Sequence, residues 1–460
     1  MFKLRVLRLR RTFATMTRTP PRNPLVAVIG ATGTGKSELA VEIAKRYNGE
    51  IINGDAMQLY AGLPIITNKI TPEEQQGIAH HLLGRIGLQE QTWVVSTFVR
   101  EALKTIEEIR SRGRLPILVG GTHYYTQSLL FHDRLAEGDT EEKAEFVANT
   151  SEKWPILQES TDVLLQELKK VDPVMADRWH PNDRRKIQRS LEIYLQTGRP
   201  ASGIYADQRA AKEVQDSSTA QGSGMRFPTL VLWVHAETDT LRSRLNKRVD
   251  KMLERGLLHE VATLSKGAAE HAAADIPIDE SRGIWVSIGY KEFKDFSRAQ
   301  ADPSVDAAKL EKMKAEGVER TQIATRQYAK RQVRWIRIKL VNALAESRSS
   351  ESLYLLDGTD VSRFDDDVIE PAVKLAGQFL RGEELPQPAS MSAAAKELLQ
   401  PTRDYDLAPK PEKWAKQYCL ACDVTCVTPE QWQMHTKSKA HKKLTAKLRQ
   451  AEHQPGRQND

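Results

Sequence analysis

The 460-residue chain has only three cysteines, Cys419, Cys422 and Cys426, all close to its C-terminus. A disulfide framework is thereby excluded for the main body, and a reducing compartment or a local metal site is indicated. Aromatic residues make up 6% of the chain and charged residues 28%, and no run approaches the ~20 apolar residues that a membrane helix requires. No membrane partner is expected. Acidic residues are missing from the first 37 positions, where Lys3, Arg5, Arg8, Arg10, Arg11, Arg18 and Arg22 alternate with Phe2, Leu4, Val6, Leu7, Leu9 and Phe13. That composition fits a mitochondrial presequence over 1–22, or a basic disordered arm. Met16 offers an internal start, so the expectation is a mitochondrial protein with a cytoplasmic and nuclear pool.

What is present organises the rest. The length suggests about three domains at ~150 residues each. Lys plus Arg exceed Asp plus Glu by 68 to 61, a net +7 that matters because it is clustered. From Pro24 onward, short apolar runs alternate with helical stretches: Leu25–Ile29, Ser37–Tyr47, Glu50–Asn53, Phe98–Arg110 and Leu115–Val119. Strand–helix alternation predicts a parallel α/β sheet. Thr140–Glu213 carries helical spacing around Leu164, Leu165, Leu168 and Met175, Ala211–Met225 has loop composition, and Thr229–Val234 resumes a buried strand leading into a helix over Asp239–Arg255. One core is thus interrupted by a helical insertion. A long helix over Val318–Ile338, a strand at Leu353–Leu356 and a helix over Asp365–Leu380 follow.

The segment Gly30-Ala31-Thr32-Gly33-Thr34-Gly35-Lys36-Ser37 follows an apolar strand and precedes an amphipathic helix. Its glycines let successive amides face an anion, Lys36 adds a point charge and the Ser37 hydroxyl can ligate Mg2+. The motif specifies a polyphosphate: ATP, GTP and an allylic diphosphate all satisfy it. Asp55, just past the second strand, is either a general base or a helix cap. Gly120-Gly121-Thr122, after the third long strand, is either a phosphate contact or a plain tight turn. The expected class is α/β, a P-loop NTPase-like parallel sheet with a helical insertion and a small C-terminal zinc finger. Its parts are a core at 23–130 and 227–382, the insertion at 131–226, a linker at 383–411, the finger at 412–450 and a polar tail at 451–460.

Cys419-x2-Cys422-x12-His435-x5-His441 has the spacing of a C2H2 zinc site. Both histidines are expected on one helix, with Cys426 as a small buried hydrophobe and Trp432 supplying bulk. The helix continues through Lys437, Lys439, Lys442, Lys443, Lys447 and Arg449, which suits RNA or a solvated protein-binding face.

Several segments taken in order resemble the tRNA dimethylallyltransferase (tRNA isopentenyltransferase) family from Leu25 to about Leu340. They are the P-loop; Gly54-Asp55-Ala56-Met57-Gln58-Leu59-Tyr60; His80-His81-Leu82-Leu83-Gly84; Pro116 to Thr122; Pro181-Asn182-Asp183 with Arg184, Arg185 and Arg189; Thr197-Gly198-Arg199-Pro200; Arg244–Met252; Ile288-Gly289-Tyr290-Lys291-Glu292; and Thr325 to Gln332. His123 and Arg334 depart from the family pattern; neither is expected to touch the chemistry, and Arg334 adds charge. The finger resembles the matrin or U1 type, which eukaryotic members carry.

The resemblance implies transfer of a dimethylallyl group from its diphosphate to N6 of the adenosine on the 3′ side of a tRNA anticodon, by a monomer. It assigns catalysis to Asp55, Thr34, Arg248 and Thr122, with Asp55 taking the N6 proton without needing a raised pKa, and the diphosphate to Gly30, Ala31, Thr32, Gly33, Thr34, Gly35, Lys36 and Ser37 with Mg2+. It assigns contact with the tRNA anticodon stem-loop to Asp55, Ala56, Met57 and Gln58; to Arg185, Lys186, Ile187, Gln188 and Arg189; to Ile288, Gly289, Tyr290 and Lys291; and to Lys330, Arg331, Gln332, Arg334 and Arg337. Arg326, Lys330, Arg334 and Arg337 fall at i, i+4, i+8 and i+11, one helix face with no acid between Arg326 and Leu340. Zn2+ is assigned to Cys419, Cys422, His435 and His441. A P-loop nucleotide kinase, an adenylate isopentenyltransferase and a non-catalytic RNA-binding protein are the competing readings.

Overall fold

A computed structural model describes residues 19–88, 90, 92–131, 154–207, 210, 224–274, 278, 280, 282–401 and 416–452. Most of the basic N-terminal segment, Met16 included, the loop at 211–223 and the tail from 453 lie outside the described residues.

Six parallel strands form the core sheet: β1 (Leu25–Gly30), β2 (Gly49–Asn53), β3 (His80–His81), β4 (Leu115–Val119), β5 (Thr229–His235) and β6 (Leu353–Asp357), in the order β3-β2-β4-β1-β5-β6. β1 lies in register with both neighbours, Val26 opposite Ile117 and Leu230. Its alternate residues serve two cores: Leu25, Ala27 and Ile29 face one, Val26 and Val28 the other. A strand covered on both faces has no polar side to display, which is why it is a continuous apolar run. The two-residue edge strand β3 is too short to have a periodic signal.

The second face is covered by α1 (Lys36–Arg46) and by α11 (Glu370–Arg381), the first by α2 (Val95–Ser111) and α3 (His123–Leu130). The insertion contains α4 (Thr161–Val171), α5 (Pro173–Arg178) and α6 (Arg184–Thr197), packed on a core of their own around Leu164, Leu168 and Leu191. Its neck is a bridge between Phe131 and Met225, reinforced by Arg226 N donating to Leu130 O at 2.6 Å. After β5 come α7 (Thr238–Glu254), α8 (Leu257–Ala273), α9 (Tyr290–Gln300) and α10 (Ala307–Trp335). The last begins earlier than its sequence pattern suggests, because the Asp306 carboxylate caps Lys309 N at 2.8 Å. It ends in a single wide turn over Ile336–Leu340.

The expected linker at 383–411 is packed in its described part. Pro386 O accepts from Tyr354 Oη at 2.8 Å, and α12 (Ala393–Leu398) places Ala395 in the core. Prolines and alanines suit a linker by composition, but they are also small enough to lie flat against β6. The finger has two short antiparallel strands, β7 (Gln417–Cys419) and β8 (Val424–Cys426), and helices α13 (Pro429–Lys437) and α14 (Lys439–Glu452). The expected single helix is broken at Ser438, which is extended (φ −66, ψ 147). Six residues of unbroken helix would separate the two histidines by ~9 Å along the axis, so a common metal requires the break. Among the described residues no helix is long and apolar enough to cross a membrane.

Candidate active site

The site lies at the carboxyl ends of β1, β2 and β4, where open α/β sheets hold ligands. β1 ends in the P-loop, whose Gly35 takes φ 88 to turn the chain into α1. A side chain there would meet the Phe364 ring at 2.4 Å, so this position needs glycine on two counts. Within the loop the Thr34 hydroxyl and the Lys36 ammonium both donate to Ala31 O, at 2.9 and 2.6 Å. Desolvation lowers Lys36 to about 8, with Arg248 adding repulsion and Asp55 opposing the shift. An amine in that state gains from an arriving anion. Ser37 is exposed at the start of α1.

β2 ends at Asn53, whose side chain accepts from Asp55 N at 2.9 Å and donates to Leu82 O. This turn aims the Asp55 carboxylate into the site, where it accepts from Met57 N at 3.0 Å. Asp55 therefore also caps the following turn, and the two functions weighed from sequence coexist. Burial raises its pKa, against the pull of the Met57 amide, Lys36, Arg248 and the Gly121 amide. The proton transfer does not require a raised pKa, but removal from water makes this group a stronger base than a surface aspartate.

β4 delivers Gly120-Gly121-Thr122. A Cβ on Gly120 would lie 2.3 Å from Gly54 C and O, so the two loops touch backbone to backbone. The Thr122 hydroxyl accepts from Ala56 N at 3.0 Å, fixing the Asp55 loop to this one. From α7, Arg248 Nη1 donates to Thr32 Oγ1 at 2.8 Å. Arg248 is lowered by burial to about 10 and stays a cation at neutral pH.

Three further side chains stand at this site beyond those that spacing and resemblance assign to it. Tyr328 of α10 lies within hydrogen-bonding reach of Thr122 and Gln332, and burial pushes its hydroxyl well above the usual tyrosine range. Tyr124 is 46% exposed at the start of α3, its ring 5.9 Å from that of Trp335, whose indole N–H donates to Gln127. Arg185 and Arg189 of the insertion are within electrostatic reach of Tyr124. The available clue is an aromatic two residues past Gly-Gly-Thr in a chain poor in aromatics. His123 is buried with neither ring nitrogen partnered, and burial followed by Lys36 lowers it to about 3.

The residues assigned to RNA divide by exposure. Lys330, Arg331 and Arg334 are exposed on α10, Lys291 on α9, and Arg185 and Lys186 on α6. Ala56, Met57, Gln58 and Ile288 are half-buried, and the Gln58 carboxamide donates to Asn68 O. Arg189 is held near Glu192 at 3.1 Å. Arg337 is half-buried with its Nε buried and unpartnered. Ile187 belongs to the insertion core, Gln188 donates to Glu192 Oε1, Gly289 is buried, and Tyr290 is 1% exposed. The side chains of Ile187, Gln188 and Tyr290 face packed interiors, which leaves only their backbone to meet a ligand. Arg326 is also diverted, donating to Asn246 Oδ1 at 2.6 Å. Gln332 is buried and points into the phosphate site.

In the finger, ligand atoms of Cys419, Cys422, His435 and His441 all lie within 4.8 Å of one another. His441 Nδ1 is 3.6 and 3.3 Å from the two sulfurs, and His435 Nε2 is buried with no protein partner. A tetrahedral cation with two thiolate and two imidazole ligands fits this set. Cys426 is buried outside it. Lys416, at the foot of the finger, donates to Ala176 O of α5 at 2.6 Å.

Comparison with known proteins bears on this geometry. The family model described as IPP transferase matches residues 58–339, and one described as a zinc-finger double-stranded RNA-binding family matches residues 418–442. The chain is 38% identical to the tRNA dimethylallyltransferase of Schizosaccharomyces pombe, over 91% of this chain and 94% of that one. It is 34% identical to that of Saccharomyces cerevisiae, over 93% and 94%. A crystallographically characterised eukaryotic dimethylallyltransferase acting on tRNA superposes with a TM-score of 0.70 at 33% identity, covering 93% of this chain and 98% of that one.

Proposed function

This chain belongs to the tRNA dimethylallyltransferase (IPP transferase) family, and from that membership we propose how its site transfers a dimethylallyl group to tRNA and to which atom. The acceptor is N6 of the adenosine on the 3′ side of the anticodon, extruded from the loop into the crevice between Asp55 and the P-loop. Extrusion costs a few kcal/mol and is cheapest in a loop whose bases are not paired. The donor's diphosphate occupies the P-loop, held by its amides, Lys36, Thr34 and the Thr32–Arg248 pair. As N6 bonds to the allylic carbon, the carbon–oxygen bond breaks and its electron pair leaves on diphosphate. Cations already in place stabilise that charge without reorganising. The N6 proton goes to the Asp55 carboxylate, whose raised basicity suits the task. When bound, Mg2+ neutralises further charge on the diphosphate, and Ser37 would supply its hydroxyl ligand.

The exposed Lys330, Arg331, Arg334, Lys291, Arg185 and Lys186 supply phosphate contacts on both sides of the site, and Tyr124 with Trp335 offers a stacking surface for an unstacked base. A zinc ion bound by Cys419, Cys422, His435 and His441 folds the finger, which supports RNA binding from the insertion side. The basic segment over 1–22 serves as a mitochondrial presequence, with Met16 starting a second, cytoplasmic and nuclear form. The observation that carries the reading is the placement of the half-buried Asp55 carboxylate within electrostatic reach of Lys36 and Arg248. Replacing Asp55 with Ala tests it: transfer to tRNA should vanish with tRNA affinity intact, and retained transfer would remove Asp55 as the base.

A further inference from the structure

Gln332 lies within the segment whose resemblance suggests RNA contact, yet its carboxamide is turned away from the surface and makes two long-range hydrogen bonds. Oε1 accepts from Thr32 N of the P-loop at 2.8 Å, and Nε2 donates to Gly121 O at 2.9 Å. The Gly121 amide lies near enough to the Asp55 carboxylate to pull its pKa down. A Cβ on Gly121 would lie 2.5 Å from Gln332 Nε2 and 3.0 Å from Asp55 Oδ2, so this peptide is clasped between brace and base. On the other side Thr32 Oγ1 receives Arg248. Arg248, Thr32, Gln332, Gly121 and Asp55 thus form one continuous chain from the leaving-group cation to the proton acceptor. The chain passes through a helix whose neighbouring positions, Lys330, Arg331 and Arg334, are exposed cations. One turn away, Ala329 packs against Ala31 and Leu245, so α10 and the P-loop share an apolar contact as well.

We propose that Gln332 is a positioning residue that fixes the distance between Asp55 and the diphosphate cradle and transmits RNA docking on α10 into that cradle. RNA held by the α10 cations immobilises the helix; the carboxamide then holds Thr32 and Gly121 in register, and the cradle grips diphosphate more tightly. By linkage the diphosphate must tighten RNA by the same factor. The inference rests on the transferase reading above. A carboxamide is suited to the task because it both accepts and donates, which neither a carboxylate nor an alkyl group can do.

The test measures calorimetric binding of dimethylallyl thiodiphosphate, a non-reacting donor analogue, to the full-length protein with and without saturating anticodon stem-loop RNA, for the wild type, Q332A, Q332E and R334A. For the wild type, RNA should tighten the analogue about 5- to 50-fold, within the usual span of coupling between sites. Q332A should bring that factor to within about 2 of unity while each ligand alone binds within about 3-fold of wild type. Q332E, which keeps the acceptor but places a charge beside the diphosphate, should bind the analogue more weakly than Q332A. With tRNA, Q332A should lower kcat more than it raises KM for tRNA, whereas R334A should do the reverse. A wild-type factor retained in Q332A, or absent from the wild type, would overturn the inference. So would a loss of RNA affinity in Q332A as large as in R334A. Failure of the underlying reading is seen separately, as no transfer from labelled dimethylallyl diphosphate to RNA by the wild type.

Discussion

Arg248 and Thr32 stand 216 residues apart in sequence, yet the Arg248 guanidinium donates to the Thr32 hydroxyl at 2.8 Å. The helix that follows the insertion thereby closes the cradle that the first strand opens. Arg248→Ala should lower kcat by about 10^2 to 10^3, the usual effect of removing one donor aimed at developing charge. KM for tRNA should change little. Single-turnover rates with saturating tRNA check this, and a loss confined to KM would move Arg248 from catalysis to binding.

Burial raises Asp55, with amides and cations only partly opposing it. A base is inactive when protonated, so activity should fall as pH drops through a value above the usual carboxylate range, near 3.9. The acid limb of single-turnover rate against pH locates it. Asp55→Glu should keep a displaced limb and Asp55→Asn should have no pH-dependent activity to lose.

His123 is held neutral, lowered to about 3 mainly by desolvation. The unfolded chain takes up a proton at this residue below pH ~6.5 and the folded one does not, so stability falls as pH falls from there toward 3. Between pH 6.5 and 5 the loss from this residue should be about 2 kcal/mol. Thermal unfolding of the wild type and His123→Asn without diphosphate measures it. The variant should be less stable at pH 8 and should lose less on acidification.

Lys330 and Arg334 are exposed, while Arg326 is held by Asn246. Lys330→Ala and Arg334→Ala should each reduce the slope of log affinity for tRNA against log salt by roughly 0.7 to 0.9. Arg326→Ala should leave that slope unchanged. Equal effects from all three would show a plain charge field with no defined contact face.

Cys419→Ser, or chelation of bound metal, should unfold residues 416–452 and weaken tRNA binding while the sheet stays folded, because the ligand set lies wholly within the finger. Circular dichroism and tRNA affinity measured on the same samples check both halves.

The features legible in the sequence were those with a period or a fixed spacing. β1, β2, β4, β5 and β6 are apolar runs, and the P-loop and the Cys/His spacing are local patterns set by the chemistry of one ligand. The parts that were not legible depend on the third dimension. Arg326 and Arg334 share a helical stripe in sequence, but only Arg326 meets a neighbouring helix. Tyr290 and Ile187 sit among polar residues and nevertheless point inward. Gln332 follows two cations, and its inward turn is set by the 3.6-residue period, which places it on the face with Ala329. The break at Ser438 follows from metal geometry acting against helix continuity.

The most direct measurement of the central claim is incubation of the purified full-length protein with labelled dimethylallyl diphosphate and, in parallel, tRNA and free AMP, alongside labelled ATP with the same acceptors. Label should pass from the prenyl donor to tRNA, with one diphosphate released per transfer, and AMP should remain unmodified. Prenylation of AMP in preference to tRNA, or transfer of the ATP terminal phosphoryl with the prenyl donor left intact, would contradict the account.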